Sequence, residues 1–210
     1  PLLHGTRGED GTVQGMLELA NIPFVGAGVL GSALCMDKLK AKDVLAAHGL
    51  PQVPWIGVRD TEAADVSQRV DEAGLRYPLF VKPACEGSGK GITVDNLCHD
   101  RGALVARVEH LLTTYRQPVL IEAWLPGAEF TVAVLGNGPE ARCLPIVAMD
   151  YADLPEGAPP IYGYEAKWIW DDPSDPLDMF TCPAPIPARL AAQVRSAALG
   201  AYHAPECRDW

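Results

Sequence analysis

At 210 residues the chain is one large domain or two small ones, and 48% hydrophobic with 21% charged residues supply a buried core. A formal net charge of -10 argues against the basic footprint of a nucleic-acid binder, while a few local lysines and backbone amides can still hold a nucleotide. No apolar run approaches the roughly 20 residues that span a bilayer and no signal-peptide layout opens the chain, so no membrane and a cytoplasmic location are expected.

Residues 1–34 read as a strand end, a glycine-rich loop, a helix from Thr12 to Ala20, a strand at Ile22–Val25 and a second glycine loop. Asp37 to His48 reads as a helix stopped by Gly49 and Pro51, and Pro51–Val58 as a linker that becomes a strand. Thr61 to Ala73 is the next helix, with Ala63, Val66, Val70 and Ala73 on one face, Thr61 as its cap and Gly74 after its end. A strand at Leu79–Pro83, a glycine loop and a strand at Gly91–Val94 follow. In 102–115, Leu104, Val108, Leu111 and Tyr115 fall at helical spacing. Strands at Val119–Leu125, Glu129–Leu135 and near Cys143–Met149, with a turn at Gly136–Pro139, suit an antiparallel meander. Pro155–Pro160 reads as an exposed loop, and 187–202 as a helix with Leu190, Val194, Ala197 and Ala201 inward. The sum is an α+β fold.

Two glycine loops stand out. Gly26-Ala27-Gly28-Val29-Leu30-Gly31 matches G-x-G-x-x-G, but its preceding strand is short and broken by Pro23, and no ribose-binding acid follows in a βαβ unit. A turn packed tightly before a helix is the expected reading. The stretch Val81-Lys82-Pro83-Ala84-Cys85-Glu86-Gly87-Ser88-Gly89-Lys90-Gly91 fails as a Walker A loop, which needs glycine at Ala84 and serine or threonine at Gly91. A lysine at a strand end before a flexible loop can nevertheless handle phosphate, through a point charge and closely approaching backbone N–H groups. An ordinary hairpin with a solvated lysine fits these residues equally well. The six cysteines (35, 85, 98, 143, 182 and 207) show no C-x-x-C or zinc spacing, and each reads as a small, buried, reduced residue.

His4-Gly5-Thr6-Arg7-Gly8-Glu9-Asp10-Gly11-Thr12-Val13-Gln14-Gly15 resembles the H-G-x-x-G-E-D-G-x-x-Q-G signature of D-alanine–D-alanine ligases, ATP-grasp enzymes of peptidoglycan synthesis. Met36-Asp37-Lys38, the loop from Val81 to Ile92, Ile121-Glu122-Ala123-Trp124-Leu125, Glu129-Phe130-Thr131-Val132 and Tyr164-Glu165-Ala166-Lys167 follow in family order. The resemblance implies ATP as cofactor, with Lys38 and Lys82 meeting its phosphates and residues 86–91, including Glu86, Gly87 and Gly89, closing over them. It implies that Glu122, Trp124 and the backbone near Leu125 read the adenine edge, and that Glu129 accepts from the ribose hydroxyls. Lys167, on a lid near 151–170, resembles a lysine that contacts the γ-phosphate. His4 and Glu9 resemble part of the amino-acid pocket, and Ser88 a loop serine that fixes the first substrate.

Three parts are implied: the end of an N-terminal α/β substrate domain at 1–34, a central ATP-grasp subdomain at 35–125, and an incomplete C-terminal subdomain at 126–210. Both chain ends read as cuts inside a longer fold. The Mg2+ ligands of the family would lie beyond Trp210 and an N-terminal glutamate before Pro1, so this stretch alone is not expected to catalyse the full reaction. The implied reaction joins D-alanine to D-alanine through an acyl-phosphate, and the resemblance leaves a homodimer open. Two departures touch the acceptor side. Trp168 stands where tyrosine is usual, and Gly89 replaces the second loop serine. Indole can donate but not accept, so another amino or hydroxy acid acceptor is an alternative, as is a non-catalytic ATP-binding relative.

Overall fold

The computed structural model describes residues 3–59, 63, 65–156, 158–171, 174 and 176–209. The chain divides into two compact units, one of Pro1–Gln52, Gly127–Asp153 and Leu177–Trp210, the other of Val53–Pro126 and Leu154–Pro176. Helices and antiparallel sheets make up both, so the fold is α+β.

The second unit is built on a four-stranded sheet of order β1-β4-β2-β3, with β1 at Trp55–Val58, β2 at Leu79–Pro83, β3 at Leu97–Cys98 and β4 at Val119–Ala123. Alternation sends Leu79, Val81, Val119 and Ile121 to one face, where they meet α4 (Val66–Glu72) and α5 (Arg101–Tyr115) in the core. Asp100 caps α5 by accepting from the Ala103 N–H at 2.9 Å, and Leu104, Val108, Leu111 and Leu112 line its buried side. Phe80, Lys82, Leu120 and Glu122 are left for the opposite face. The cap expected at Thr61 lies outside the described residues, and α4 is shorter than its apolar pattern, although Val66 and Val70 are buried as expected.

The strand expected at Gly91–Val94 does not form. Gly91 has φ +79°, and Thr93 and Asn96 form a reciprocal capping box around a 3-10 turn at Val94–Asn96. The Asn96 side chain takes over the role of a ladder. Its amide donates to the carbonyls of Val81 and of Gly91, the latter at 2.9 Å. Its oxygen accepts from the Thr93 N–H at 2.7 Å and from Arg107 Nη2 at 2.6 Å. A fully buried amide thereby ties the exit of the glycine loop to the strand that carries Lys82.

In the first unit α1 (Thr12–Leu19), α2 (Val29–Met36) and α3 (Lys38–Ala47) follow in sequence. Gly28 is the N-cap of α2, so the G-x-G-x-x-G segment is a turn entering a helix, as its sequence suggests. Asp37 caps α3 by accepting from the Leu39 and Lys40 N–H groups. Ile22–Val25 is not a strand: Pro23 has no N–H to donate, and no described segment pairs with it. The expected strands at Glu129–Leu135 and Cys143–Met149 are each broken where they change partner. β5 (Glu129–Thr131) pairs with β8 (Val147–Met149), and β6 (Val134–Leu135) with β7 (Arg142–Cys143), all antiparallel. β9 (Phe180–Thr181) extends the β8 edge. The helix α6 (Ala188–His203) turns Ala191, Val194, Ala198 and Tyr202 inward, while Leu190, Ala197 and Ala201 are exposed. The apolar stripe drifts at the 3.6-residue period, and the bulky Tyr202, whose hydroxyl donates to the Gly136 carbonyl at 2.9 Å, sets its phase.

Asn96→Ala leaves two buried carbonyls and the Arg107 guanidinium short of partners, a loss of about 2–4 kcal/mol. Urea denaturation should show the midpoint fall accordingly with an unchanged slope; a loss under about 0.5 kcal/mol contradicts the anchoring role.

Candidate functional site

The face of the four-stranded sheet turned away from α4 and α5 carries the candidate site. Glu122 lies directly opposite Phe80 in the β2–β4 register, with Lys82 one diagonal step away on the same face. Lys82 Nζ meets Glu122 Oε1 at 2.6 Å, with the two side chains only 22% and 12% exposed. Partial burial strengthens their attraction and also raises the cost of removing either partner alone. The Lys82 ammonium stands 5.7 Å from the Phe80 ring centre. Phe80 in turn faces Trp124, ring centres 5.6 Å apart with planes at 37°. Trp124 is held where β4 ends, its N–H donating to the Pro78 carbonyl at 3.3 Å, and Leu125 beyond it is 66% exposed. A cation, a carboxylate and a large aromatic surface therefore share one patch.

β2 runs into the glycine loop, which is pinned at both ends. Its entry is held by Gln117: Oε1 accepts from the Cys85 N–H at 2.5 Å and Nε2 donates to Glu86 Oε1 at 3.0 Å. The same Glu86 pairs with Lys90 at 3.1 Å. Its exit is held by Asn96, as described above. Ser88 and Gly89 between them have φ of +52° and +76°, and the N–H groups of Gly87, Ser88 and Gly89 make no hydrogen bond within the described residues. A fixed frame thus supports a short run of free backbone donors, a geometry suited to anions.

The segment 158–170 docks on this loop. The Tyr164 N–H donates to the Ile92 carbonyl at 2.9 Å. A side chain at Gly163 would meet the same carbonyl at 2.9 Å, and one at Gly89 would meet the Gly163 backbone at 3.4 Å. Trp168 Nε1 donates to the Ser88 carbonyl at 3.2 Å. The indole therefore uses the one hydrogen-bonding capacity it has, on the backbone of Ser88 and not on its hydroxyl. Lys167 sits in a wide helical turn at Ala166–Trp170, its ammonium 5.9 Å from the Tyr162 ring and 5.7 Å from that of Trp168. Burial pushes the Tyr162 phenol above its ordinary range.

Of the residues singled out in the sequence, Lys82, Glu86, Gly87, Ser88, Gly89, Glu122, Trp124, Leu125 and Lys167 belong to the second unit. Lys38, Glu129, His4 and Glu9 belong to the first. Lys38 is the first residue of α3. Glu129 accepts from the Tyr151 hydroxyl at 2.5 Å. His4 Nδ1 lies 3.9 Å from Glu9, whose other oxygen accepts from the Gly5 N–H at 2.5 Å. Sequence reasoning missed Gln117, Asn96 and Arg107, which hold the loop without belonging to it. Among the described residues no group of three His, Cys, Asp or Glu could hold a metal ion, and no helix is long and apolar enough to cross a membrane.

Family comparison matches residues 44–210 to the D-ala D-ala ligase C-terminus and residues 1–27 to the D-ala D-ala ligase N-terminus. A D-alanine–D-alanine ligase of Bordetella avium is 40% identical over 209 residues, covering 99% of this chain and 60% of the relative. The chain thus spans about three-fifths of the length of that curated relative. Among solved structures, the VanG D-Ala:D-Ser ligase of Enterococcus faecalis matches with a TM-score of 0.77 at 31% identity, over 99% of this chain and 56% of that one. The Bacillus anthracis D-alanine–D-alanine ligase complexed with ATP matches with a TM-score of 0.73 at 28% identity, over 99% of this chain and 59% of that one. With both family segments matched in order and the ATP-grasp fold of the ligases shared, the chain belongs to the D-alanine–D-alanine ligase family.

Proposed function

We propose that the chain belongs to an ATP-dependent ligase that forms D-alanyl-D-alanine through an acyl-phosphate, for peptidoglycan precursor synthesis in the cytoplasm. The observation that carries the reading is the Lys82–Glu122 pair beside Trp124, set at the foot of a loop with free N–H groups. Trp124 and the segment that follows β4 at Leu125 offer a surface and backbone groups for adenine. Lys82 keeps donors beyond the one given to Glu122 and can turn them toward phosphate oxygens. Gly87, Ser88 and Gly89 supply backbone donors, and Glu86 acts by fixing the loop through Gln117 and Lys90. Lys167 brings a second cation on the docked segment. We assign Lys38 to the phosphates and Glu129 to the ribose, following the resemblance, and we keep the division at 34 and 125 as the functional subdomains.

The chemistry asked of these groups is charge neutralisation and positioning. A carboxylate oxygen of the first D-alanine attacks the γ-phosphorus and ADP leaves. The second amine then attacks the acyl carbon, phosphate leaves and the amine gives up a proton. Mg2+ bound to the triphosphate would supply further neutralisation of its charge. The docked segment, held to Ser88 by Trp168, keeps water from the acyl-phosphate. His4 and Glu9 are assigned to the amino-acid pocket, and Ser88 to the first substrate. A homodimer fits the family resemblance.

A second reading, a ligase with a different amino or hydroxy acid acceptor, is favoured by one contact. Trp168 spends its only donor on the Ser88 backbone, so no phenolic oxygen is offered to an incoming group.

In thermal melts, ATP at about 100 times its Kd should stabilise the protein by about 2.7 kcal/mol, and Lys82→Ala should remove that protection. Equal protection of the variant contradicts the phosphate assignment. In a screen of D-amino and D-hydroxy acids, the full-length protein should release phosphate from ATP with D-alanine and not with L-alanine. Release only with D-alanine plus another acceptor selects the second reading.

A further inference from the structure

The sequence suggests six buried, inert thiols, yet only Cys98 is buried. Burial pushes Cys98 up to about 11 and also raises Cys143, so both stay protonated. Cys182 is exposed, with no thiol beside it among the described residues. Cys35 and Cys207 differ from all of these. Cys35 lies in the last turn of α2 and Cys207 beyond α6, 172 positions apart, and their sulfurs approach to 3.7 Å. Cys35 is exposed and Cys207 half-buried, so small oxidants can reach the pair.

The approach is held by the surrounding chain, all of it in the first unit. Cys207 N–H donates to the Tyr202 carbonyl at 3.0 Å, which fixes its backbone to the end of α6. A side chain at Gly31 would meet the Pro205 carbonyl at 3.1 Å, so α2 rests directly on this segment. Arg208 reaches Glu18 at 3.4 Å and covers the Phe24 ring at 5.5 Å. Asp209 accepts from the Gly26 N–H at 3.4 Å. The two sulfurs are therefore neighbours because the segments that bear them are docked on both sides.

We propose that Cys35 and Cys207 form a peroxide-sensitive dithiol that closes reversibly to a disulfide. The two thiols approach as hydrogen-bond partners in which either S–H can donate, so whichever sulfur loses its proton is steadied by the S–H of the other. Either sulfur can therefore attack, with the other resolving. The thiolate of the pair attacks one oxygen of hydrogen peroxide. The O–O bond breaks, sulfenic acid forms, and the departing hydroxide takes up a proton to become water. The second thiol, losing its proton, attacks the sulfenic sulfur; the S–O bond breaks and a second water leaves. Two thiols lose two electrons in all, and one peroxide becomes two waters. Reaching an S–S bond of about 2.05 Å needs the sulfurs to close by under about 2 Å, within the range of side-chain rotation at these exposed positions. A transient bond of this kind suits a reducing compartment, where structural disulfides are rare.

The test uses the full-length protein, reduced and then treated with hydrogen peroxide, with tryptic peptides read by mass spectrometry. The expected product is a peptide pair joined through Cys35 and Cys207, 2 Da lighter than its two thiol forms by loss of two hydrogens, and restored by dithiothreitol. Cross-linking should raise the melting temperature by about 5 °C or more, because it closes a long loop in the unfolded chain. Cys35→Ser and Cys207→Ser should each abolish the cross-linked peptide and halt any oxidation at sulfenic or sulfinic acid on the cysteine that remains. Cys182→Ser should form the cross-link as the parent does. Both pair variants should melt with the reduced parent, which separates loss of chemistry from loss of fold. Oxidation confined to Cys182 or Cys85, or peroxide treatment with no Cys35–Cys207 peptide, overturns the proposal.

Discussion

The ion pair between Lys82 and Glu122 is the constraint around which the second unit is arranged. Both side chains are mostly withdrawn from water, so their attraction is offset by desolvation, and a pair of this kind contributes little net stability. Its effect is to specify. The pair requires β2 and β4 to be neighbours in one register, because a slip of one residue would send Lys82 or Glu122 into the apolar core between sheet and helices. Each strand then delivers what lies at its end. β2 opens into the glycine loop, and β4 leads into Trp124 and Leu125 just past its end. A sheet that satisfies its own pairing in this way also brings cation, aromatic surface and backbone donors together.

Rigidity in this unit is concentrated beneath the loop and freedom at its tip. Gln117 and Asn96 hold the two ends with side-chain hydrogen bonds, while Ser88 and Gly89 occupy left-handed backbone conformations with unused N–H groups. Arg107 shows what the frame costs: its guanidinium reaches Asn96 and Thr93, yet its Nε is buried without a partner and burial lowers its basicity. The docked segment adds a second layer through Trp168 and through two glycines that permit backbone to lie on backbone. Positioning of this quality is what the proposed acyl-phosphate reaction, governed by charge neutralisation, would require.

Much of this was legible in the sequence, for identifiable reasons. The helices α3 and α5 and the strands β2 and β4 announce themselves through apolar runs and spacing and flanking glycine or proline, all local signals. The run from Lys82 to Gly91 fits a hairpin as well as a phosphate loop when taken alone, and the segment from Ile121 to Leu125 stands out only through the family resemblance. What escaped depends on distant partners. Asn96 converts an expected strand into a turn by bonding to Val81 and Gly91, and nothing beside it in sequence shows that those carbonyls are near. Glu129–Leu135 breaks into two strands only because its partners change along the way. The contact of Trp168 with the Ser88 backbone needs the fold, whereas its inability to act as an acceptor follows from the residue alone.

The central claim is that Lys82 and Glu122 act as one element in holding ATP. The direct measurement is a double-mutant cycle on the full-length protein, with Lys82→Met, Glu122→Gln and the double variant titrated with ATP at constant ionic strength. Coupling predicts that the single losses fail to add, with an interaction energy of about 1 kcal/mol or more. Losses that add within about 0.3–0.5 kcal/mol would show two independent residues and contradict the account.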